Sequence, residues 1–193
     1  MIRDIVHYDA PILRAKGREV GAITPEMEAL IGDLLDTMRA AHGVGLAAQQ
    51  IGEAVQVAVV DITDIKERAS KMWIAGAPVN PEDYMPLVLI NPVLKPTKTK
   101  IVSHEGCLSF PGLTLDISRA QRVAVKTRTR EGGLFEFDAG GLLGRAVLHE
   151  VDHLHGKLFI DHLSAEQRRA IREDLEYIKR GEPIPMPPDE DDT

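Results

Sequence analysis

The 193-residue chain has a single cysteine, no long apolar run and no recognisable targeting segment. The lone cysteine, Cys107, excludes an internal disulfide, fits a reducing cytoplasm and leaves a thiol free for a metal or for catalysis. No apolar stretch approaches the roughly 20 residues that a membrane span needs. The first residues lack the apolar core of a signal peptide and the arginine and serine bias of a transit peptide. We therefore expect a protein of the bacterial cytoplasm with no membrane partner.

Positive charge is also in deficit. The chain has 23 Lys and Arg against 30 Asp and Glu, a formal net charge of −7, which argues against direct binding to nucleic acid or to anionic lipid. What the chain does have is 44% hydrophobic and 27% charged residues, the composition of a globular protein with a real core. We expect a single domain over residues 1–181, followed by an acidic, proline-rich and disordered tail over 182–193.

Hydrophobic periodicity predicts an α+β fold with a helix near each end and strands between them. Thr24 and Pro25 are typical of a helix start, and that helix should end near Gly43. Ser164 opens a capping box for a C-terminal helix that should end by residue 181. Since no long helical pattern separates the strands, we expect antiparallel pairing, and we interpret residues 62–86 as an irregular surface excursion. The predicted strands are 55–60, 87–90, 122–127 and 134–137.

One predicted helix, over residues 142–155, carries the strongest chemical signal. His149 and His153 are four residues apart, so their imidazoles point to the same side and can reach one metal ion. Glu150 lies at the rim of that face, where it can reach a metal-bound water. An apolar stripe follows roughly the opposite side, which predicts antiparallel strands packed around a central metal-binding helix. The alternative is a polar helix surface with two incidental histidines.

A second signal is the Glu-Gly-Cys-Leu-Ser segment at residues 105–109. A catalytic site with two histidines needs at least one more protein ligand and an open position. Cys107 can supply a thiolate, and Gly106 lets the backbone approach an ion closely. A lone cysteine is more often a small buried hydrophobic residue. The glycine beside it and the metal-type helix favour the ligand interpretation.

A third signal is the glycine-rich segment Gly-Val-Gly-Leu-Ala-Ala-Gln-Gln at residues 43–50. It follows a helix instead of leading a strand into one, which excludes a dinucleotide-binding loop, and no Gly-Lys-Ser/Thr follows, which excludes a phosphate loop. Small residues and two amides could bring backbone and an amide donor against an extended ligand. A flexible helix exit is the alternative.

Together the three segments resemble the motifs of the peptide deformylase family, GxGLAAxQ, EGCLS and HExDH, in the family's order. The resemblance extends to residues 89–92 and 156–161 and so spans most of residues 1–180. It implies a metal-dependent hydrolase that removes the formyl group from the N-terminal formyl-methionine of new polypeptides and releases formate.

The resemblance assigns roles to individual residues. It implies that Cys107, His149 and His153 hold one divalent ion with water as the fourth ligand, and that Glu150 moves the proton. Ferrous iron is the implied working ion, with zinc, nickel and cobalt as alternatives. The implied partners are N-formyl-methionyl peptides of nascent chains near the ribosome.

Further positions follow from the same resemblance. The side-chain amide of Gln50 and the backbone N–H of Leu108 should stabilise the oxyanion. Gly43, Val44 and Gly45 should pair with the backbone of the substrate, with Gly106 beside them. Val44 and Ala146 are candidates for the methionine pocket. In full, the implied substrate-binding residues are Gly43, Val44, Gly45, Gly106 and Ala146.

The chain departs from the family pattern at two positions. Leu148 stands where many members have glutamine, and Thr114 stands where some have an arginine that meets the substrate backbone. The sequence leaves open whether Glu105 and Arg119 form an ion pair that steadies the cysteine loop or are unrelated surface charges.

Two other functions compete with this hypothesis. A metalloprotease would usually take its third ligand downstream of the helix, whereas Cys107 lies upstream. A non-catalytic zinc-binding module would be expected to lose Glu150 or Gln50, and both are present. The remaining histidines match no motif, and we interpret them as surface or packing residues: His7, His42, His104, His155 and His162.

Overall fold

The structure is a computed structural model that describes residues 1–65 and 67–185. Of the predicted tail, residues 186–193 lie outside the described residues. Within the described part, four α-helices combine with mostly antiparallel sheets, which confirms the predicted α+β class. None of these helices is long and apolar enough to span a bilayer. The helices are α1 (Pro25–Ala40), α2 (Gly141–Leu154), α3 (Ala165–Ala170) and α4 (Arg172–Lys179).

The strands form two sheets in the described part of the chain. One has seven strands in the order β1-β2-β5-β8-β9-β3-β4, and the other is the hairpin β6-β7. All the pairings are antiparallel. The strands are β1 (Gly45–Ala47), β2 (Val57–Val60), β3 (Ser70–Ile74), β4 (Ala77–Val79), β5 (Leu87–Pro96), β6 (Lys100–Gly106), β7 (Thr114–Ala120), β8 (Arg122–Arg128) and β9 (Leu134–Gly140).

Helix α2 lies in the middle of the molecule because its apolar stripe is covered by the large sheet. Leu143, Val147 and Leu154 have no exposed surface, and they pack with the side chains of one sheet face. Helix α1 covers the other face, where Val57 and Val59 of β2 point toward it. Strand β2 is therefore buried on both sides, which explains its unbroken run of apolar residues.

A third apolar cluster supports the loop that contains the cysteine. Phe110 stacks on Tyr8 with ring centroids 4.9 Å apart and meets Phe159 edge-on at 5.0 Å. Leu175 of α4 and Leu13 of the N-terminal segment complete this cluster. Both ends of the chain thus contribute to holding the loop after β6.

Several predicted boundaries differ from the structure. The prediction that residues 62–86 form an irregular surface excursion is wrong in part. The segment contains β3 and β4, and Met72 of β3 is buried in the core. Strand β5 continues through Pro92 because a register shift between Ile90 and Val93 removes the need for a ladder N–H there. The predicted C-terminal helix is two helices that meet at Ile171. Strands β1, β6 and β7 were not predicted.

Candidate active site

Three donor atoms converge beneath the surface of the molecule. The Nε2 atoms of His149 and His153 lie 3.2 Å apart, and Cys107 Sγ lies 3.4 Å from His153 Nε2. All three ligand atoms lie within 4.8 Å of one another. In a tetrahedral site with ordinary bond lengths, N···N and S···N edges are about 3.3 and 3.6 Å. The donor set and its spacing therefore fit one divalent transition-metal ion.

The fold explains why these atoms meet. One helical turn of α2 brings both imidazoles to the same side, while Cys107 follows directly after β6 ends at Gly106. A turn in which Phe110 N–H donates to Cys107 O at 2.8 Å fixes the loop, and the Phe110 ring is buried. The cysteine is thus held by the strand before it and by the aromatic anchor after it.

Glu105 orients the first histidine from behind. Its Oε1 accepts a hydrogen bond from His149 Nδ1 at 2.6 Å, which leaves His149 Nε2 as the ligand atom. Burial alone would raise the pKa of Glu105, but the hydrogen bonds from His149 and Arg119 outweigh it and hold the pKa far below its ordinary value. Glu105 is therefore a permanent negative charge beside the donor cluster, which favours a cation there.

Two buried arginines neutralise Glu105 in turn. Arg119 Nη2 donates to Glu105 Oε1 at 2.6 Å, and Arg145 Nη1 donates to Oε2 at 2.9 Å. The side chain of Arg119 is 3% exposed and that of Glu105 is 5% exposed. The ion pair that the sequence left open is thus present within the β6-β7 hairpin, and the bond from Arg145 ties this hairpin to α2.

The network continues along α2 to Asp152. Arg119 forms an ion pair with Asp152, whose Oδ2 also lies 2.7 Å from His162 Nε2. The sequence indicated only a surface or packing role for His162, yet it joins this cluster. Arg145, Asp152 and His162 are the members that sequence reasoning missed. For Asp152 a signal existed, because it stands inside the HExDH motif.

Glu150 is buried against the donor cluster and has one uncommitted oxygen. Its Oε2 has no hydrogen-bond partner among residues 1–65 and 67–185. Burial raises the pKa of Glu150 to about 7; the charge of His149 opposes this rise and that of Glu105 adds to it. A Cβ at Gly45 would lie 2.8 Å from both Cγ and Cδ of Glu150, so only glycine leaves room for this carboxyl.

The Gln50 amide is locked in one orientation. Its Oε1 accepts a hydrogen bond from Ala47 N–H at 2.9 Å, which turns Nε2 toward the cysteine loop. There Nε2 lies 3.1 Å from Ser109 Oγ and 3.5 Å from Cys107 Sγ. The site thus holds an N–H donor beside the metal-ligand candidates.

One cavity of about 440 Å³ brings most of the predicted residues together. His153 is not among its lining residues and lies behind the others, 1% exposed. Thr114, where some family members have an arginine, lies on its exposed rim. The predicted residues that line it are Gly43, Val44, Gly45, Gln50, Gly106, Cys107, Leu108, Ala146, His149 and Glu150.

The glycine-rich segment forms an open edge along this cavity. Strand β1, which begins at Gly45, pairs with β2 on one side and is the last strand of the sheet on the other. Val44 O accepts from Asp61 N–H at 3.0 Å, which continues the same pairing. Among residues 1–65 and 67–185 no strand pairs with the opposite edge, and an unpaired edge of this kind is a template for an added strand.

Comparisons with known proteins show which family the chain is similar to. A family model for polypeptide deformylase matches residues 2–169. The peptide deformylase of Methylacidiphilum infernorum is 53% identical over 184 residues, covering 95% of this chain and 96% of the relative. The solved structure of a peptide deformylase from Legionella pneumophila superposes with a TM-score of 0.78 at 36% identity, covering 93% of this chain and 96% of the other. The solved structure of peptide deformylase from Ehrlichia chaffeensis superposes with a TM-score of 0.79 at 29% identity, covering 97% of this chain and 100% of the other.

Proposed function

Because the chain belongs to the polypeptide deformylase family, we propose that its cysteine–histidine cluster, with Glu150 and Gln50 beside it, carries out the family's reaction. The enzyme removes the formyl group from the N-terminal formyl-methionine of new polypeptides. The observation that carries the residue assignment is the convergence of three metal-type donor atoms beside one cavity, whose lining includes a buried carboxyl and an oriented amide.

The family uses a divalent metal ion, and the donor spacing fits one. We propose that Cys107, His149 and His153 hold it, with Glu105 orienting His149. When bound, such an ion lowers the pKa of a coordinated water from about 15.7 to about 7 and polarises a carbonyl oxygen.

Glu150 is the residue that moves protons. Its free Oε2 accepts a proton from the water that attacks the formyl carbon, so that the new C–O bond forms without a hydronium ion. The same oxygen then gives the proton to the departing nitrogen as the C–N bond breaks. The products are formate and a free N-terminus, so one carboxyl serves as base and then as acid.

Gln50 and the N–H of Leu108 stabilise the charge that develops on the formyl oxygen. The hydrogen bond from Ala47 fixes the amide before substrate arrives, so little reorganisation is needed in the transition state. Leu108 directly follows Cys107 in the chain and lines the same cavity, which supports its N–H as the second donor. Two fixed donors at one oxygen form an oxyanion hole.

The edge formed by Gly43, Val44 and Gly45 binds the peptide backbone beside these groups. An extended substrate that pairs with this edge would bring its formyl carbon toward Glu150, since Gly45 packs directly against that carboxyl. Val44 and Ala146 contribute the apolar wall for the methionine side chain.

The direct test is formate release from formyl-Met-Ala-Ser by anaerobic protein loaded with ferrous ion. We expect formate and free Met-Ala-Ser, and no cleavage of unmodified Met-Ala-Ser. Peptide-bond cleavage of the unmodified peptide without formate release would instead indicate a metalloprotease. Release of neither product by metal-loaded protein would support a non-catalytic metal-binding module.

We propose ferrous iron as the working ion. Two imidazoles and a thiolate also suit zinc, nickel and cobalt, and zinc generally binds such sites more tightly than ferrous iron. We expect iron- or nickel-loaded protein to be much more active than zinc-loaded protein. The iron form should decay in air, because dioxygen can oxidise the ion and the Cys107 thiolate, whereas the nickel form should persist. Equal, air-stable activity with zinc and iron would contradict this choice.

We also propose that the reaction takes place in the bacterial cytoplasm, close to the ribosome that makes the formylated N-terminus. The bacterial relatives support the compartment. Cosedimentation of the purified protein with translating ribosomes tests the proximity, with vacant ribosomes as the control. Equal sedimentation with and without ribosomes would contradict it.

A further inference from the structure

A second cavity lies beside the one that contains the candidate active site. It has a volume of about 270 Å³, and Arg68, Leu142 and Arg145 line both cavities. These three side chains therefore form the wall between them. None of the three belongs to the motifs that place the chain in its family.

Two parts of this wall belong to the rigid interior. Leu142 is 6% exposed, and Arg145 is bound to Glu105 and to the carbonyls of Ile101 and Ile117, each at 2.9 Å. These residues cannot move without disturbing the core or the network beneath His149. They form the fixed part of the wall between the two cavities.

Arg68 is the movable part of the wall. It is exposed, and its guanidinium donates to two neutral oxygens, Ser103 Oγ at 3.1 Å and His104 O at 3.3 Å. Both acceptors belong to β6. The side chain thus bridges from the segment before β3 to the hairpin and forms the solvent-exposed part of the wall.

The backbone next to Arg68 is nevertheless held in place. Ala69 O accepts from Leu142 N–H at 3.0 Å, and Ser70 Oγ accepts from Leu143 N–H at 3.2 Å. Gly141 lies so close to Ala69 that a Cβ there would be 3.1 Å from the Ala69 carbonyl carbon, and its φ of +63° also favours glycine. The first turn of α2 therefore fixes where the Arg68 side chain begins.

The orientation of the substrate relates this wall to specificity. The cavity follows α2 from Glu150 past Ala146 to Leu142, about 10 Å or more along the helix axis. If the formyl carbon lies at Glu150, as the proposed function requires, the first side chain of the substrate extends toward the Leu142 end. We propose that Arg68 is a specificity-determining residue that limits how long an unbranched first side chain the enzyme accepts.

The test compares formylated peptides whose first residue is norleucine, similar in length to methionine, or 2-aminooctanoic acid, which is two methylenes longer. The readout is the ratio of kcat/KM for the longer over the shorter substrate, measured by formate release from metal-loaded protein. Arg68→Ala should raise this ratio by about 5- to 15-fold, because each newly buried methylene contributes about fourfold. Arg68→Met, which removes the charge but keeps an unbranched side chain, should leave the ratio within about threefold of wild type.

Arg169→Ala is the matched control, because Arg169 is also exposed but lies on α3, away from both cavities. It should change neither kcat/KM nor the ratio. An unchanged ratio in active Arg68→Ala would overturn the proposal, and so would an equal loss for both substrates, which would make Arg68 a backbone-binding residue. Failure of the proposed function would look different, since wild-type protein would then release no formate from any of the peptides.

Discussion

The two ends of the active-site cavity are built in opposite ways. At the metal-donor end, His149, Glu150 and Glu105 are buried, and Glu105 alone accepts hydrogen bonds from three side chains. At the other end, Arg68 is exposed and is held by two hydrogen bonds to neutral oxygens. In the proposed assignment, the groups that carry out the reaction lie in a buried hydrogen-bonded network, whereas the side chain that limits substrate length is exposed and has few bonds.

This difference has a physical basis. Catalytic groups must be held within a fraction of an ångström, which a dense buried network achieves. A wall that only excludes longer side chains tolerates looser attachment, because one methylene changes binding by no more than about 1–3 kcal/mol. Substitutions at the metal-donor end should therefore lower activity or stability far more than substitution of Arg68 at the other end.

The largest stability effect is expected from Arg119→Met. The substitution leaves the buried Glu105 and the partly buried Asp152 without their shared cation. Removing one partner of such a network lowers the free energy of unfolding by about 3–5 kcal/mol. Urea denaturation at equal metal content measures the loss. As a control, Arg130→Ala removes the exposed pair with Glu28 and should lower it by less than about 1 kcal/mol. Similar losses in the two variants would contradict the distinction between buried and surface charge.

Gln50→Ala tests the oriented amide. We expect kcat to fall by about 100- to 1000-fold with little change in KM, because the contact strengthens only in the transition state. Steady-state formate release on formyl-Met-Ala-Ser measures both constants. An effect confined to KM would show that Gln50 binds the substrate in the ground state, and it would contradict a role in the oxyanion hole.

Gly45→Ala tests how closely Glu150 is positioned. The added Cβ would force the carboxyl to move, and a displacement of about 1 Å can lower the rate about 100-fold. Gly32→Ala in α1 is the matched control, since the added Cβ would meet no atom within 4 Å apart from its chain neighbours and the adjacent backbone of its own helix. It should keep full activity and raise the free energy of unfolding by about 0.5–1 kcal/mol. Full activity in a folded Gly45→Ala protein would show that Glu150 tolerates displacement.

The parts of the site that could be predicted follow local rules. The spacing of His149 and His153 places them on one side of a helix, and the predicted helix at 142–155 is observed over Gly141–Leu154. The GxGLAAxQ and EGCLS segments also carry their information in consecutive residues. These sequence patterns can be recognised without knowing the rest of the fold or a binding partner.

The parts that could not be predicted depend on long-range pairing. Strand β6 exposes most of its side chains, so it has no apolar alternation, and only its pairing with β7 makes it a strand. Strand β3 buries Met72 alone and is defined by its pairing with β9. The contacts of Arg68 and Arg145 join segments that are far apart in sequence, so no short motif signals them.

The most direct test of the central claim, that three residues hold the ion while Glu150 moves the proton, is one paired measurement on Glu150→Gln. Metal content per chain and kcat/KM for formyl-Met-Ala-Ser are determined on the same anaerobic, iron-loaded sample. We predict a wild-type metal ratio and a fall in kcat/KM of at least about 100-fold, the low end for losing a general base. Wild-type activity in this variant, or loss of the metal together with the activity, would contradict the assignment.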